Sequence, residues 1–210
     1  MKLYFIRHGK TQWNLEGRFQ GAGGDSPLLT ESYQEIKVLG QSLRNITFDA
    51  VYSSDLKRAV DTTQLLVSEL DQEVEVIYTE ALREWNLGKL EGAKIATMKA
   101  IYPNQISAFR HNLAQFRPAL FDAESIYQTT SRVKNLIQSF ENKDYKHVLL
   151  VGHGANLTAS IRTLLGFEPA HLRALGGLDN SSLTVLETDD CDHFECLIWN
   201  DKSYLEDSIH

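Results

Sequence analysis

Two short apolar runs restrict the fold of this chain more than any other feature: Leu3-Tyr4-Phe5-Ile6 near the start and Val148-Leu149-Leu150-Val151 much later. The second is a continuous apolar stretch, as expected for a strand covered on both faces inside a parallel sheet. The first reads as a core strand over Lys2 to Ile6. Each runs directly into a histidine beside glycine, in Arg7-His8-Gly9 and in Gly152-His153-Gly154. In open α/β sheets the carboxyl ends of the strands are where ligands bind. Both tripeptides therefore stand where chemistry is expected.

The intervening sequence supports a layered α/β reading. A loop from Arg7 to Pro27 holds five glycines, and a loop of that length in a compact domain is usually functional. Ile36, Leu39 and Leu43 recur at helical spacing from about Thr30, with Thr30 or Ser32 as the expected cap. Asp49 to Ser53 reads as a second strand, and Ser54-Asp55 offers a cap for a helix reaching about Leu70. Val74 to Tyr78 reads as a third strand, followed by a loop-like stretch from Thr79 to Gly92. Residues 94–118 read as short helices broken at Pro103. Ser125 to Phe140 carries an apolar stripe of Ile126, Val133, Ile137 and Phe140. A strand over His147 to Val151, a helix through Leu165, strands over Leu183 to Glu187 and Phe194 to Trp199, and a polar tail complete the chain. Alternating strands and helices predict a three-layer α/β sandwich. Its central sheet has about six strands, mostly parallel, with an antiparallel edge.

Composition narrows the function classes. The 210 residues carry a net charge of -7 and a pI of about 5.5, which argues against a nucleic-acid binder. No apolar run approaches the roughly 20 residues that span a bilayer, so no membrane association is expected. The amino-terminal apolar stretch is too short for a signal segment, which predicts a cytoplasmic protein. No repeat or linker divides the chain. The expectation is one domain over residues 1–210, with a helical lid inserted at about 93–122. Gly21-Ala22-Gly23-Gly24 follows no strand and lacks the third glycine of a dinucleotide fingerprint, so it reads as a mobile loop. Cys191 and Cys196 flank His193 at a spacing that fits no strong zinc pattern. Phe194, Cys196 and Ile198 alternate as one strand face, which predicts Cys196 as a small core residue. No cofactor and no metal is expected.

The strand ends gather a specific set of polar groups. Strand one supplies Arg7 and His8, the helix after strand two supplies Arg58, the loop after strand three supplies Glu84, and strand four supplies His153. In a mostly parallel sheet these converge on one edge. A neutral imidazole can attack phosphorus and divide a hard hydrolysis into two easier steps. Guanidinium groups match phosphate oxygens through charge-assisted bonds. A carboxylate can protonate the leaving alkoxide and then deprotonate water. Glu80 and Glu91 share the loop with Glu84 and are alternative carboxylates.

At these residues the sequence resembles the histidine phosphatase superfamily, also called the phosphoglycerate mutase-like family. The match runs through Phe5-Ile6-Arg7-His8-Gly9-Lys10-Thr11, Trp13-Asn14, Gly17-Arg18-Phe19-Gln20-Gly21 and Asp25-Ser26-Pro27-Leu28-Leu29-Thr30. It continues through Tyr52-Ser53-Ser54-Asp55-Leu56-Lys57-Arg58-Ala59, Leu82-Arg83-Glu84, Gly88-Lys89-Leu90-Glu91-Gly92 and Val151-Gly152-His153-Gly154. The resemblance implies His8 as the phosphorylated residue, Glu84 as proton donor and acceptor, and Arg7, Arg58 and His153 as a phosphate pocket. Thr11, Asn14, Gln20, Gly21 and Gly154 fall at substrate-side positions.

The resemblance admits several activities. Cofactor-dependent mutases carry a longer insertion between the Glu and the second His, an adjacent Arg pair and an aromatic hydroxyl just after the Glu. This chain has no Arg-Arg dipeptide, and Leu87 occupies the hydroxyl's position. The expectation is a metal-independent histidine acid-type phosphatase acting on a small phosphorylated metabolite. A phosphoglycerate mutase and a non-catalytic phospholigand-binding protein are the alternatives. The exposed edge strand leaves room for a homodimer without specifying one.

Overall fold

The computed structural model describes residues 1–207; residues 208–210, the end of the expected polar tail, lie outside the described residues. The chain begins with β1 (Lys2–Arg7) and a long loop that contains a short helix, α1 (Gln12–Leu15). Thr11 caps α1 in a reciprocal box with Asn14, so part of the glycine-rich loop is locally rigid. Next come α2 (Thr30–Leu43), β2 (Ala50–Ser54), α3 (Lys57–Val67) and β3 (Val76–Thr79). Two 3₁₀ turns, Glu80–Leu82 and Gly88–Leu90, punctuate the next stretch. The insertion folds as α4 (Ile95–Ile101) and α5 (Pro103–His111), with Pro103 at the first turn of α5, where its missing N–H costs nothing. Then follow α6 (Ile126–Gln138), β4 (His147–Gly152), α7 (Gly154–Leu164), β5 (Leu183–Glu187), β6 (Glu195–Asp201) and α8 (Tyr204–Asp207).

The six strands form one sheet in the order β3-β2-β4-β1-β5-β6. The first four are parallel, and β5 and β6 add an antiparallel edge. Successive residues of β1 face opposite layers. Leu3 and Phe5 pack with Val133, Ile137, Leu157 and Ile161 of α6 and α7, whereas Tyr4 and Ile6 pack with Ile36, Leu39 and Leu66 of α2 and α3. Each such fully buried aliphatic side chain contributes about 1.5–3 kcal/mol. This two-sided burial is why the β1 and β4 runs are apolar without alternation. No described helix is long and apolar enough to cross a membrane.

A third cluster lies outside these two layers. Phe19, Trp85, Leu87 and Leu90 pack there with Ile106, Phe109, Phe116 and Phe121 of the insertion. The aromatics of the insertion therefore mainly pack it; Phe116 and Phe121 stack 6.0 Å apart.

Several expectations are corrected. Neither Thr30 nor Ser32 caps α2, which starts after Leu29 without a side-chain cap; Ser32 is buried and donates to the Lys10 carbonyl instead. Likewise α3 starts after Leu56 without a side-chain cap, because Asp55 is held by Arg83 and Ser54 also bonds His153. Cys196 is exposed, and Cys191 is the buried thiol. The reason is position: β6 is the edge strand of the sheet, and Glu195, Cys196, Leu197 and Ile198 are all exposed whichever face they point to. The tail before residue 208 is not wholly polar in environment, since Tyr204 is buried and donates to the Ser181 carbonyl.

Candidate active site

The parallel register brings the two strand-end histidines, His8 and His153, together. Arg7 at the end of β1 is level with Gly152 at the end of β4, so His8 and His153 follow adjacent strand ends. Their rings lie 5.1 Å apart between centroids, and both are buried. His8 Nδ1 lies 2.7 Å from the Gly9 carbonyl. A carbonyl only accepts, so Nδ1 carries the proton and Nε2 keeps its lone pair. Burial, with the positive charges of Arg58 and Arg7, holds His8 well below the usual imidazole range. His153 is held down by burial and by Arg58. Its Nε2 lies 2.7 Å from Ser54 Oγ, and its Nδ1 is buried with no protein partner.

The two expected arginines are used differently. Arg7 donates from Nη1 to the Leu178 carbonyl at 2.5 Å, while its Nε is buried without a protein partner. Gly154 is required beside it, since a Cβ there would stand 2.8 Å from Arg7 Nε. Arg58 is fully buried, and its terminal nitrogens are committed to the glycine-rich loop. Nη1 donates to the Gly24 carbonyl and to Asp25, and Nη2 to the Gly21 and, more weakly, Gln20 carbonyls. Only Nε of Arg58 is left without a protein partner. The expected phosphate ligand thus anchors the loop over residues 20–25.

Glu84 stands out among the three carboxylates of its stretch. It is buried and lines the cleft, with Oε1 accepting from the Trp85 and Asn156 N–H groups and Oε2 from Ala155 N–H. Ala155 and Asn156 belong to the first turn of α7, whose free N–H groups suit a carboxylate. Glu91 accepts from the N–H groups of Gly21, Gly23 and Leu87 and so braces the loop. Glu80 is exposed and pairs with Arg83.

The remaining expected residues divide. Asn14, Gln20 and Gly154 line the cleft, which has a volume of about 280 Å³. Thr11 does not line it; its hydroxyl donates to Gln20 Oε1, leaving Gln20 Nε2 buried with no protein partner. Gly21 does not line it either, and a Cβ there would stand 2.3 Å from the Trp85 carbonyl oxygen.

Sequence reasoning missed the loop between α7 and β5. Arg173, Leu178 and Asp179 of this loop line the cleft, and Asn180 donates to the His8 carbonyl and to Asn14 Oδ1. Its length and its Gly176-Gly177 pair were the available signal. Arg18 and Arg110 also line the cleft. A chain of net charge -7 thus concentrates guanidinium groups at one opening. Among the described residues no cluster of three or more His, Cys, Asp or Glu side chains could hold a metal ion. The arrangement can seat a tetrahedral oxyanion beside an unprotonated imidazole nitrogen.

Known proteins share this architecture. A family model described as the histidine phosphatase superfamily, branch 1, matches residues 3–202. A 2,3-bisphosphoglycerate-dependent phosphoglycerate mutase of Cytophaga hutchinsonii is 33% identical over 171 residues, covering 80% of this chain and 78% of the relative. Bacillus stearothermophilus YhfR superposes with a TM-score of 0.88 at 27% identity, over 97% of this chain and 98% of that one. A mycobacterial glucosyl-3-phosphoglycerate phosphatase superposes with a TM-score of 0.84 at 28% identity, over 95% of this chain and 98% of that one. The two neighbouring strand-end histidines and a match spanning nearly the whole chain lead to one conclusion: this protein belongs to the histidine phosphatase superfamily.

Proposed function

We propose that the protein hydrolyses a small phosphomonoester through a phosphohistidine on His8. The observation that carries this reading is a set of buried donors without protein partners, Arg7 Nε, Arg58 Nε and His153 Nδ1 near the neutral imidazole of His8 and Gln20 Nε2 on a residue of the cleft wall. Each unsatisfied buried donor costs about 1–3 kcal/mol, so such a group of them calls for an anionic ligand. His153 Nδ1 is a donor in the tautomer in which Ser54 gives its hydroxyl proton to Nε2.

In the first step His8 Nε2 attacks phosphorus, the P–O bond to the alcohol breaks, and Glu84 gives a proton to the departing oxygen. In the second step Glu84 takes a proton from water, the water oxygen attacks phosphorus, and the P–N bond breaks to release phosphate and restore His8. Arg7, Arg58 and His153 stabilise the charge on the equatorial oxygens. Asn14, Gln20 and Gly154 border the substrate, while Thr11 and Gly21 support that border. No metal enters either step. The insertion at about 93–122 acts as the lid.

Leu87 supports hydrolysis over transfer between substrates, since it offers no hydroxyl to hold a second phosphorylated species. A mutase is the second reading, favoured by the Cytophaga relative. Release of p-nitrophenol from p-nitrophenyl phosphate at mildly acid pH, in EDTA, tests the proposal. No turnover, or an active His8→Ala variant, would overturn it. Interconversion of phosphoglycerates faster than phosphate release would favour the mutase.

A further inference from the structure

Hydrogen-bond direction sets one polar arm of the cleft without ambiguity. Asn14 lines the cleft, and its Oδ1 lies 3.2 Å from the Thr11 backbone nitrogen. A backbone N–H only donates, so the atom facing it is the amide oxygen and not the amide nitrogen. Asn180 Nδ2 lies 3.0 Å from the His8 carbonyl and 3.2 Å from that same Asn14 Oδ1. A carbonyl only accepts, so Asn180 presents its nitrogen there. Two backbone groups therefore fix both amides. Asn14 Oδ1 accepts twice on the protein side, and Nδ2 is the arm left for the cleft. An amide oxygen that accepts two hydrogen bonds polarises its own N–H groups into stronger donors.

Asn180 does not line the cleft, and its own backbone is held firmly. It belongs to a segment, residues 178–181, that is stitched to the end of β1. The Leu178 carbonyl accepts from Arg7 Nη1, and Ser181 N–H donates to the Arg7 carbonyl at 3.0 Å. Asp179 is pinned from β6: its N–H donates to Asn200 Oδ1 at 2.6 Å, and its carboxylate accepts from Asn200 Nδ2 at 2.9 Å. A segment tied on both sides can place a side chain accurately. His8 keeps its own place without Asn180. Its N–H donates to the Gly152 carbonyl at 3.0 Å, and its carbonyl also faces Ser181 N–H at 3.4 Å. What Asn180 adds is the second bond to Asn14 Oδ1.

We infer that Asn180 is a positioning residue for the phosphoryl site: it locks the Asn14 amide with its N–H groups toward the cleft, at a fixed place relative to His8. This rests on the phosphomonoester reading above and adds to it a residue that never meets the substrate. With Asn180 removed, Thr11 N–H alone holds Asn14 Oδ1, and the amide is free to swing about that single bond.

The test is a double-mutant cycle on Asn14 and Asn180. It is read as kcat/KM for p-nitrophenyl phosphate and, independently of turnover, as binding of inorganic phosphate by calorimetry. Asn14→Ala should weaken either readout by about ten- to a hundredfold, as expected for one hydrogen bond to a charged oxygen. Asn180→Leu should weaken it by about three- to tenfold, as expected for one neutral hydrogen bond. The double variant should lie within about twofold of Asn14→Ala, because Asn180 then has nothing left to position. A residue that only supports the fold would instead multiply the two losses. Asn180→Ser keeps the loop polar and is too short to reach Asn14. It should give the same cycle, so the outcome does not depend on whether the leucine variant folds. Losses that multiply, an Asn180→Ser protein with wild-type activity and binding, or an Asn14→Ala protein with both unchanged overturns the inference. A coupled cycle in phosphate binding without wild-type turnover would overturn only the hydrolase reading, and turnover with multiplied losses only the role of Asn180.

Discussion

Arg132 offers the sharpest check on Glu84, although it touches no part of the cleft lining. From α6 its Nη1 donates to the carbonyls of Glu80, Ala81 and Arg83 at 3.1, 3.2 and 3.2 Å, and its Nη2 to Glu124 at 2.9 Å. Glu124 in turn accepts from Asn86 N–H, and its own carbonyl accepts from Trp85 Nε1. One guanidinium thus braces both flanks of Glu84. Arg132→Met keeps an apolar stem and removes these bonds. Three carbonyls share one nitrogen, so the loss amounts to about two charge-assisted bonds, or roughly 3–6 kcal/mol. For a chain of this size that predicts a fall in Tm of about 6–24 °C. Glu84 keeps its three N–H partners and is displaced rather than freed. A shift on the order of 1 Å in a catalytic group costs about a hundredfold in rate. Ethyl phosphate needs its leaving oxygen protonated and p-nitrophenyl phosphate scarcely does. The kcat/KM for ethyl phosphate should therefore fall at least about tenfold further than that for p-nitrophenyl phosphate. Arg132→Lys, which can still reach Glu124 but not all three carbonyls, should lie between. Lost stability with an unchanged ratio of the two substrates would refute the positioning role and show Arg132 to be a structural clamp alone.

Three further outcomes are expected. His8 and His153 are both held well below the ordinary imidazole range, so the unfolded chain takes up these protons at about pH 6.5 while the folded chain does not. Stability should therefore fall as pH drops below about 6.5, seen as a lower urea midpoint at pH 5 than at pH 7, whereas the acid limb of kcat/KM should lie below about 6.5. A midpoint that rises on acidification would contradict the burial argument; exposed His193, raised by Asp190, is the opposing contribution, lost as pH rises. Gly154→Ala should lower kcat/KM at least about tenfold by displacing Arg7, with Tm little changed because alanine favours α7; unchanged kinetics would show Arg7 to be uninvolved. Gly21→Ala should destabilise by about 1–3 kcal/mol in urea titrations, because its Cβ meets the Trp85 carbonyl oxygen and Glu91, and a neutral result would mean that the loop yields freely.

The sequence by itself determined the strands, their helical partners and the positions of Arg7, His8 and His153, because those follow from short-range periodicity and from turns that end strands. It also placed Glu84 and Arg58 on the correct elements. What Arg58 grips was not readable: its nitrogens reach Gln20, Gly21, Gly24 and Asp25, more than 30 residues away, and only packing sets that meeting. The roles of Glu84 and Glu91 separated only in three dimensions, where one meets the first turn of α7 and the other braces the glycine loop. Cys196 was misplaced because β6 is the edge of the sheet, where alternation along the strand does not produce burial on either face. The absence of an adjacent arginine pair was true of the sequence, yet tertiary structure brought Arg110 and Arg173 to one cleft, where Arg173 lies over the Phe109 ring. Local pattern decides where the backbone goes, while long side chains find their partners across the fold.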